Sequence, residues 1–174
     1  MSETESILIN RVAESDLQTI ALDELIDIQN IVSFDMKDYL FQGLILREKD
    51  FRTALKNYVW QELTDKTLAV HCSADAIIPV WAYMLVAANA KPYTKEIYFG
   101  NKDQAIEAQL LKNINDRDWS YLDSKRVVVK GCSDMELPAS AYLTIAGKLQ
   151  PHVQSMMYGE PCSTVPIFKR PRQV

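Results

Sequence analysis

Between residues 67 and 168, short β-rich runs alternate with longer segments of helical period, and this alternation constrains the fold more than any other feature of the chain. The runs at 67–70, 96–99, 126–130 and 164–168 are rich in Val, Ile, Thr, Tyr and Phe, the residues that suit a pleated, half-buried surface. Strands separated by about a dozen or more residues of helix cannot be joined as hairpins, so they form crossover units and a parallel sheet. The expected fold class is α/β: a mainly parallel sheet with helices on both faces. Pro166 lies in the last run and cannot donate to a central ladder, so that run is assigned to a sheet edge.

The helical segments follow from spacing. Residues 77–90 are almost free of charge and end at Lys91-Pro92, which reads as a helix buried between layers. Residues 103–115 place Ile106, Leu110 and Ile114 on one stripe. Helical pattern also runs through 139–158, interrupted at Pro151 and closed by Gly159. Residues 38–60 have helical spacing with a break at Gly43 and Asp50 as a cap. The stretch 7–35 shows only short apolar alternations, enough for one or two strands. The organisation expected is a single domain over 1–174, with a less regular segment at 1–36 and the alternating core at 37–174.

With 174 residues such a domain buries roughly 70% of its unfolded surface, so it needs no disulfide to fold. The net charge of -4 argues against nucleic acid as a partner, because phosphate binding depends on clustered Lys and Arg. The one basic cluster, Lys169, Arg170 and Arg172, reads as a solvated tail. The apolar run at 76–88 falls short of the about 20 residues a membrane helix needs, so no membrane contact is expected. Residues 1–6 are acidic and polar, unlike a secretory signal, which points to the cytoplasm. In that reducing compartment three cysteines are not expected to form disulfides.

All three cysteines precede serine. Cys72-Ser73 follows one β-rich run and leads through Asp75 to Pro79-x-x-Ala82-Tyr83; Cys132-Ser133 follows another and leads through Asp134 to Pro138-x-x-Ala141-Tyr142. Ligands of open α/β sheets settle beyond the carboxyl ends of the strands, where both thiols would lie. A helix N-terminus there favours thiolate over thiol. Cys162 precedes the edge strand: a single helix after Cys132 would deliver it to the opposite end of the sheet, whereas two helices folded back at Pro151 would return it to the same end, bring the three thiols together and make that strand antiparallel. The candidate metal ligands are therefore Cys72, Cys132 and Cys162, with Asp75, Asp134, Glu160 and His71 as fourth or outer groups. Three inert core thiols, with Asp75 and Asp134 as helix caps, are the alternative. His71 neighbours Cys72 on a strand and so points to the other face, which suits a core or outer group; His152 is expected to be exposed.

On the segments Ile9-Asn10-Arg11-Val12, Asp38 to Leu46, Cys72 to Ile77 and Gly159 to Pro166, the chain resembles an uncharacterised bacterial family, domain-of-unknown-function family twenty-four eighty, found chiefly in Bacteroidetes. The family carries no assigned activity. Its genes often stand beside those for iron–sulfur cluster assembly, so the resemblance implies iron–sulfur assembly proteins as partners.

Three readings of function follow. The first is an accessory protein that binds zinc or an iron–sulfur cluster through the three thiolates. The second is a thiol enzyme whose cysteine is activated at a helix N-terminus and oriented by Asp75 or Asp134. The third is a structural or partner-binding module with buried cysteines.

Overall fold

The structure, a computed structural model, describes residues 17–130, 136–160 and 163–171. In chain order the elements are β1 (Leu17–Ile20), β2 (Ile31–Asp35), β3 (Leu40–Phe41), β4 (Ile45–Leu46), α1 (Glu48–Asn57), β5 (Thr67–His71), α2 (Val80–Ala90), β6 (Glu96–Phe99), α3 (Lys102–Asp116), β7 (Arg126–Val129), α4 (Ala139–Leu149), β8 (Ser155–Glu160) and β9 (Ser163–Lys169), with short 3-10 turns between them. Two compact units divide the chain: Ile26–Asn113, and a second formed by Met1–Leu25 with Ile114–Val174.

In the Ile26–Asn113 unit, β2, β5 and β6 form a three-stranded sheet with β5 in the middle and both pairings parallel. Strand alternation sends Phe34, Leu68 and Val70 to one face, joined at its margin by Val32 and Ile97. Against that face lie Phe51 and Leu55 of α1 and Ala82, Val86 and Ala90 of α2, each set repeating every four residues. Successive right-handed crossovers that step in one direction put both helices on the same side of the sheet. Alanine at two of the three inward positions of α2 lets that helix approach the strands closely, while Trp60 and Leu63 fill the end of the cluster.

The second unit has strand order β1-β7-β8-β9. β1, β7 and β8 pair in parallel, and β9 turns back antiparallel on β8 as the edge strand. Pro166 sits at the register shift between Met156 and Met157, so the missing N–H falls where the ladder is already broken. The parallel sheet and the antiparallel C-terminal edge strand thus both exist, with the parallel strands shared between two sheets.

The two units repeat one another at a constant offset of 59 residues, as from Trp60 to Trp119. Trp60 donates its indole N–H to Leu55 O (2.8 Å) and Trp119 to Ile114 O (3.0 Å). Asp65 and Ser124 both take φ of 61° before the middle strand. The N–H of Lys95 reaches Lys66 O (2.9 Å), and that of Gln154 reaches Lys125 O (2.8 Å). Buried Ala82, Val86 and Ala90 recur as buried Ala141, Ile145 and Leu149. Gly100 and Gly159 close the third strands at φ of 116° and 123°, a region open to glycine because it lacks Cβ.

Several expected elements change. Residues 139–158 are not continuous helix: α4 ends at Leu149, and 155–160 is strand β8, drawn into the sheet by pairing with β7 that helical spacing cannot register. The helix expected over 38–60 contracts to Glu48–Asn57. Before it, β3 and β4 form a small hairpin around Gln42 and Gly43, whose positive φ values of 53° and 71° mark a turn. Asp50 lies in the first turn of α1, whose N-cap position is Arg47, so it is not the cap. α3 instead opens on a reciprocal cap between Asn101 and Gln104. α2 starts at Val80, not residue 77, because Pro79 at ψ of 139° holds the preceding chain extended. Of the strands expected in 7–35, β1 and β2 are present, while Ile7 and Ile9 lie outside the described residues.

Candidate functional site

The carboxyl end of the β2-β5-β6 sheet carries the polar cluster around Cys72. The parallel register sets Asp35 opposite His71 and Ser33 opposite Ala69, so alternation brings Ser33, Asp35 and His71 to the face opposite the helices. The chain then turns at Ser73, which donates to Asp35 twice, from its N–H to Oδ1 (3.0 Å) and from its hydroxyl to Oδ2 (2.5 Å). The Lys37 N–H also donates to Oδ1 (3.0 Å). Three donors on one carboxylate tie the end of β2 to the turn after β5 and hold Cys72 between two anchored neighbours.

The Asp35 side chain is 17% exposed. Its partial burial pushes the carboxyl up, but the Ser73 hydroxyl, the Lys37 and Ser73 N–H groups and the His71 charge together outweigh that and lower it from 3.8 to about 2. His71 Nε2 stands 3.7 Å from Asp35 Oδ2, and its Nδ1 stands 3.4 Å from the Ser33 hydroxyl. His71 is therefore a member of a partly exposed polar cluster and not a core group.

Cys72 lies on the other side of the turn. Its side chain is half-buried against the Ile26–Asn113 core, and its thiol donates to Ala74 O at 3.7 Å. Asp75 is exposed, and the N-cap of α2 is Pro79, so Asp75 is neither cap nor neighbour of the Asp35 cluster among the described contacts. The dipole argument for Cys72 fails on the same ground: α2 begins at Val80, and a helix terminus acts only within its first turn.

The second unit alters each position of this cluster. Continuing its register past Ile20 and Val129 sets Ala21 where the first unit has Asp35 and Lys130 where it has His71. The repeat also aligns Gly131 with Cys72 and Cys132 with Ser73, since Val70 and Val129, and Pro79 and Pro138, keep the same offset. The two Cys-Ser turns are thus displaced by one residue. Cys132, Asp134 and Cys162 lie outside the described residues.

The strands around those positions are described. β7 ends at Val129 opposite Tyr158 of β8, and β8 runs on to Glu160, which pairs with Ser163 at the start of β9. The chain therefore leaves β7 and reverses after β8 at the same end of this sheet. The reversal comes from a helix followed by a strand, where two helices were expected. Glu160 Oε1 is buried and accepts no hydrogen bond among the described residues. His152 is at the other end, partly exposed, with Nδ1 2.6 Å from Asp123 Oδ1. Among the described residues no group of three His, Cys, Asp or Glu side chains is arranged to hold a metal ion.

Sequence reasoning found Cys72 and His71 but missed Asp35 and Ser73 as a pair. Asp35 closes the β-rich run Ile31–Asp35, and only the parallel register brings it to the turn after β5.

These features define an α/β protein of two repeated parallel-sheet units, the first with a polar, cysteine-bearing turn after its middle strand. Residues 6–170 match the model of the family described as "Protein of unknown function (DUF2480)", and the chain belongs to that family. Comparison with curated proteins and with solved structures finds no match. No helix among the described residues is long and apolar enough to cross a membrane.

Proposed function

We propose that the protein is a cytoplasmic accessory protein that binds a metal ion or an iron–sulfur cluster through cysteine thiolates, with iron–sulfur assembly proteins as its partners. The observation that carries this reading is the topology of the second unit: β7 ends at Val129, three residues before Cys132 in the sequence, and β8 ends at Glu160, two before Cys162, at the same end of one sheet, and Glu160 Oε1 is buried without a described partner. Thiolates with an added carboxylate suit zinc, at about 2.3 Å per sulfur, and thiolates suit iron–sulfur clusters. Cys132, Cys162 and Glu160 are the ligands on which the reading rests, and Cys72 is tested beside them.

The thiol-enzyme reading has less support, because Cys72 packs toward the core while His71 and Asp35 share the opposite face and α2 starts too late to act on it.

Elemental analysis and visible absorption of anaerobically purified full-length chain test the proposal. Stoichiometric zinc, or iron with inorganic sulfide, is expected, with loss in Cys132→Ser and in Cys162→Ser. Folded protein free of metal after anaerobic preparation and reconstitution overturns it. Cys72→Ser decides whether the third thiol contributes.

A further inference from the structure

At the amino ends of their middle strands the repeated units diverge in charge. In the Ile26–Asn113 unit the positions are Thr67, which is buried, and Glu96, whose carboxylate lies 3.4 Å from Lys112 Nζ. The same offset puts Arg126 in place of Thr67 and Ser155 in place of Glu96, and β9, which has no counterpart in the first unit, sets Lys169 opposite Ser155. At this end the second unit presents Arg126 and Lys169, where the first has Thr67 and the ion pair of Glu96 with Lys112.

These residues line an open depression of about 1240 Å³ that lies wholly within the second unit. It opens at the ends of β7 and β8 away from Glu160. By alternation Arg126, Ser155 and Met157 stand on the sheet face opposite buried Val127 and Met156, with Lys169 and Pro166 of β9 beside Ser155 and Met157, so that Met157 and Pro166 give this face an apolar floor. The lining contains no Asp or Glu, in a chain whose net charge is -4.

Arg170, at the rim, is already engaged. Its Nη2 donates to Gln150 O (3.1 Å) and Pro151 O (2.8 Å), and its Nε to Val153 O (3.3 Å). It ties the end of β9 to the carbonyls after α4 and fixes the wall, leaving Arg126 and Lys169 as the cations that face the space.

We propose that this depression binds a small organic anion, a carboxylate or phosphate monoester with an apolar body. Arg126 and Lys169 hold the charge, Arg126 with the forked geometry that suits two oxygens at once. The Ser155 hydroxyl adds a donor. Met157 and Pro166 take the apolar part, whose burial adds roughly in proportion to the area covered.

Calorimetric titration of the full chain with phenyl phosphate tests this. Saturable binding at one site is expected, at least about tenfold weaker in Arg126→Gln and about threefold weaker in Lys169→Gln, with benzoate also binding and benzyl alcohol not. Both residues are exposed, so circular dichroism of the variants should match the parent. Inorganic phosphate should bind more weakly than phenyl phosphate; equal affinity removes the apolar floor and overturns the assignment. So does the absence of saturable binding up to about 10 mM, or binding that Arg126→Gln leaves unchanged, since a retained Arg126 contact is the core of the charge argument.

Discussion

The Ile26–Asn113 unit closes the carboxyl end of its sheet with Asp35, Ser73 and His71, whereas the unit completed by Ile114–Val174 has Ala21, Cys132 and Lys130 at the matching positions. The sheet of the first unit ends at its third strand, and that of the second continues into β9. What the units share is their interior: the tryptophan bonded back to the preceding helix, the apolar inward positions of α2 and α4, and the glycine at the end of the third strand. Apolar packing tolerates few alternatives, since each inward position must match the volume of its neighbours. Polar groups at strand ends are not bound by that packing, so the same scaffold carries a hydrogen-bonded clasp in one unit and cysteine-bearing connections in the other.

The equivalence of the interiors can be broken with the tryptophans. Trp60→Ala and Trp119→Ala should each cost about 3 to 5 kcal/mol in urea unfolding followed by circular dichroism, because each removes a buried ring and the donor to a helix-end carbonyl. Costs that differ by more than about 2 kcal/mol would show that the repeat is one of sequence position and not of packing.

The glycines sharpen the comparison in the opposite sense, since equal positions should respond unequally. A Cβ at Gly159 would meet backbone, Ser163 O at 2.5 Å, whereas at Gly100 it would meet the Gln104 side chain, Oε1 at 2.6 Å and Cβ at 2.7 Å, whose displacement gives up the bond from the Asn101 N–H. Both substitutions strain φ, but Gly159→Ala, which meets backbone, should cost about 2 to 3 kcal/mol and Gly100→Ala, which meets one side chain, about 1 to 2. Thermal melts of the two variants separate the cases, and a smaller loss at Gly159 would contradict the close approach of β8 and β9.

The smallest expected effect is the pH dependence of the clasp. The folded-state value of Asp35 lies below its ordinary value, so its contribution is complete above about 4 and is lost as pH falls through about 2. Partial solvent access reduces this to about 1 kcal/mol. Asp35→Asn should therefore lower stability at pH 7 and flatten the acid limb between pH 4 and 2 in denaturant titrations. An unchanged acid limb would mean that the Ser73 and Lys37 bonds do not hold the carboxylate, while no such effect is expected on substituting Ala21.

Much of the architecture was legible before any coordinates. The runs at 67–70, 96–99 and 126–130 are strands β5, β6 and β7 to within a residue, and the stripe Ile106, Leu110, Ile114 lies on α3. The matching Cys-Ser patterns around Cys72 and Cys132 belong to a longer repeat, which the offset between Trp60 and Trp119 also carries. The candidate site was less legible. Cys72 and His71 stand out by type, but Asp35 is an ordinary carboxylate at the end of a short run, and its three donors come from Lys37 beside it and Ser73 far along the chain.

The sequence by itself determined the alternation of strand and helix, the parallel pairing this implies, and the edge position of the strand bearing Pro166, because all three follow from local periodicity and from one missing N–H. Only the tertiary structure decided that the strands separate into two sheets, that 155–160 is a strand, and that Asp35 meets Ser73. Those outcomes depend on which strand pairs with which and in what register, and pairing energy is set by residues distant in the chain that no local period records.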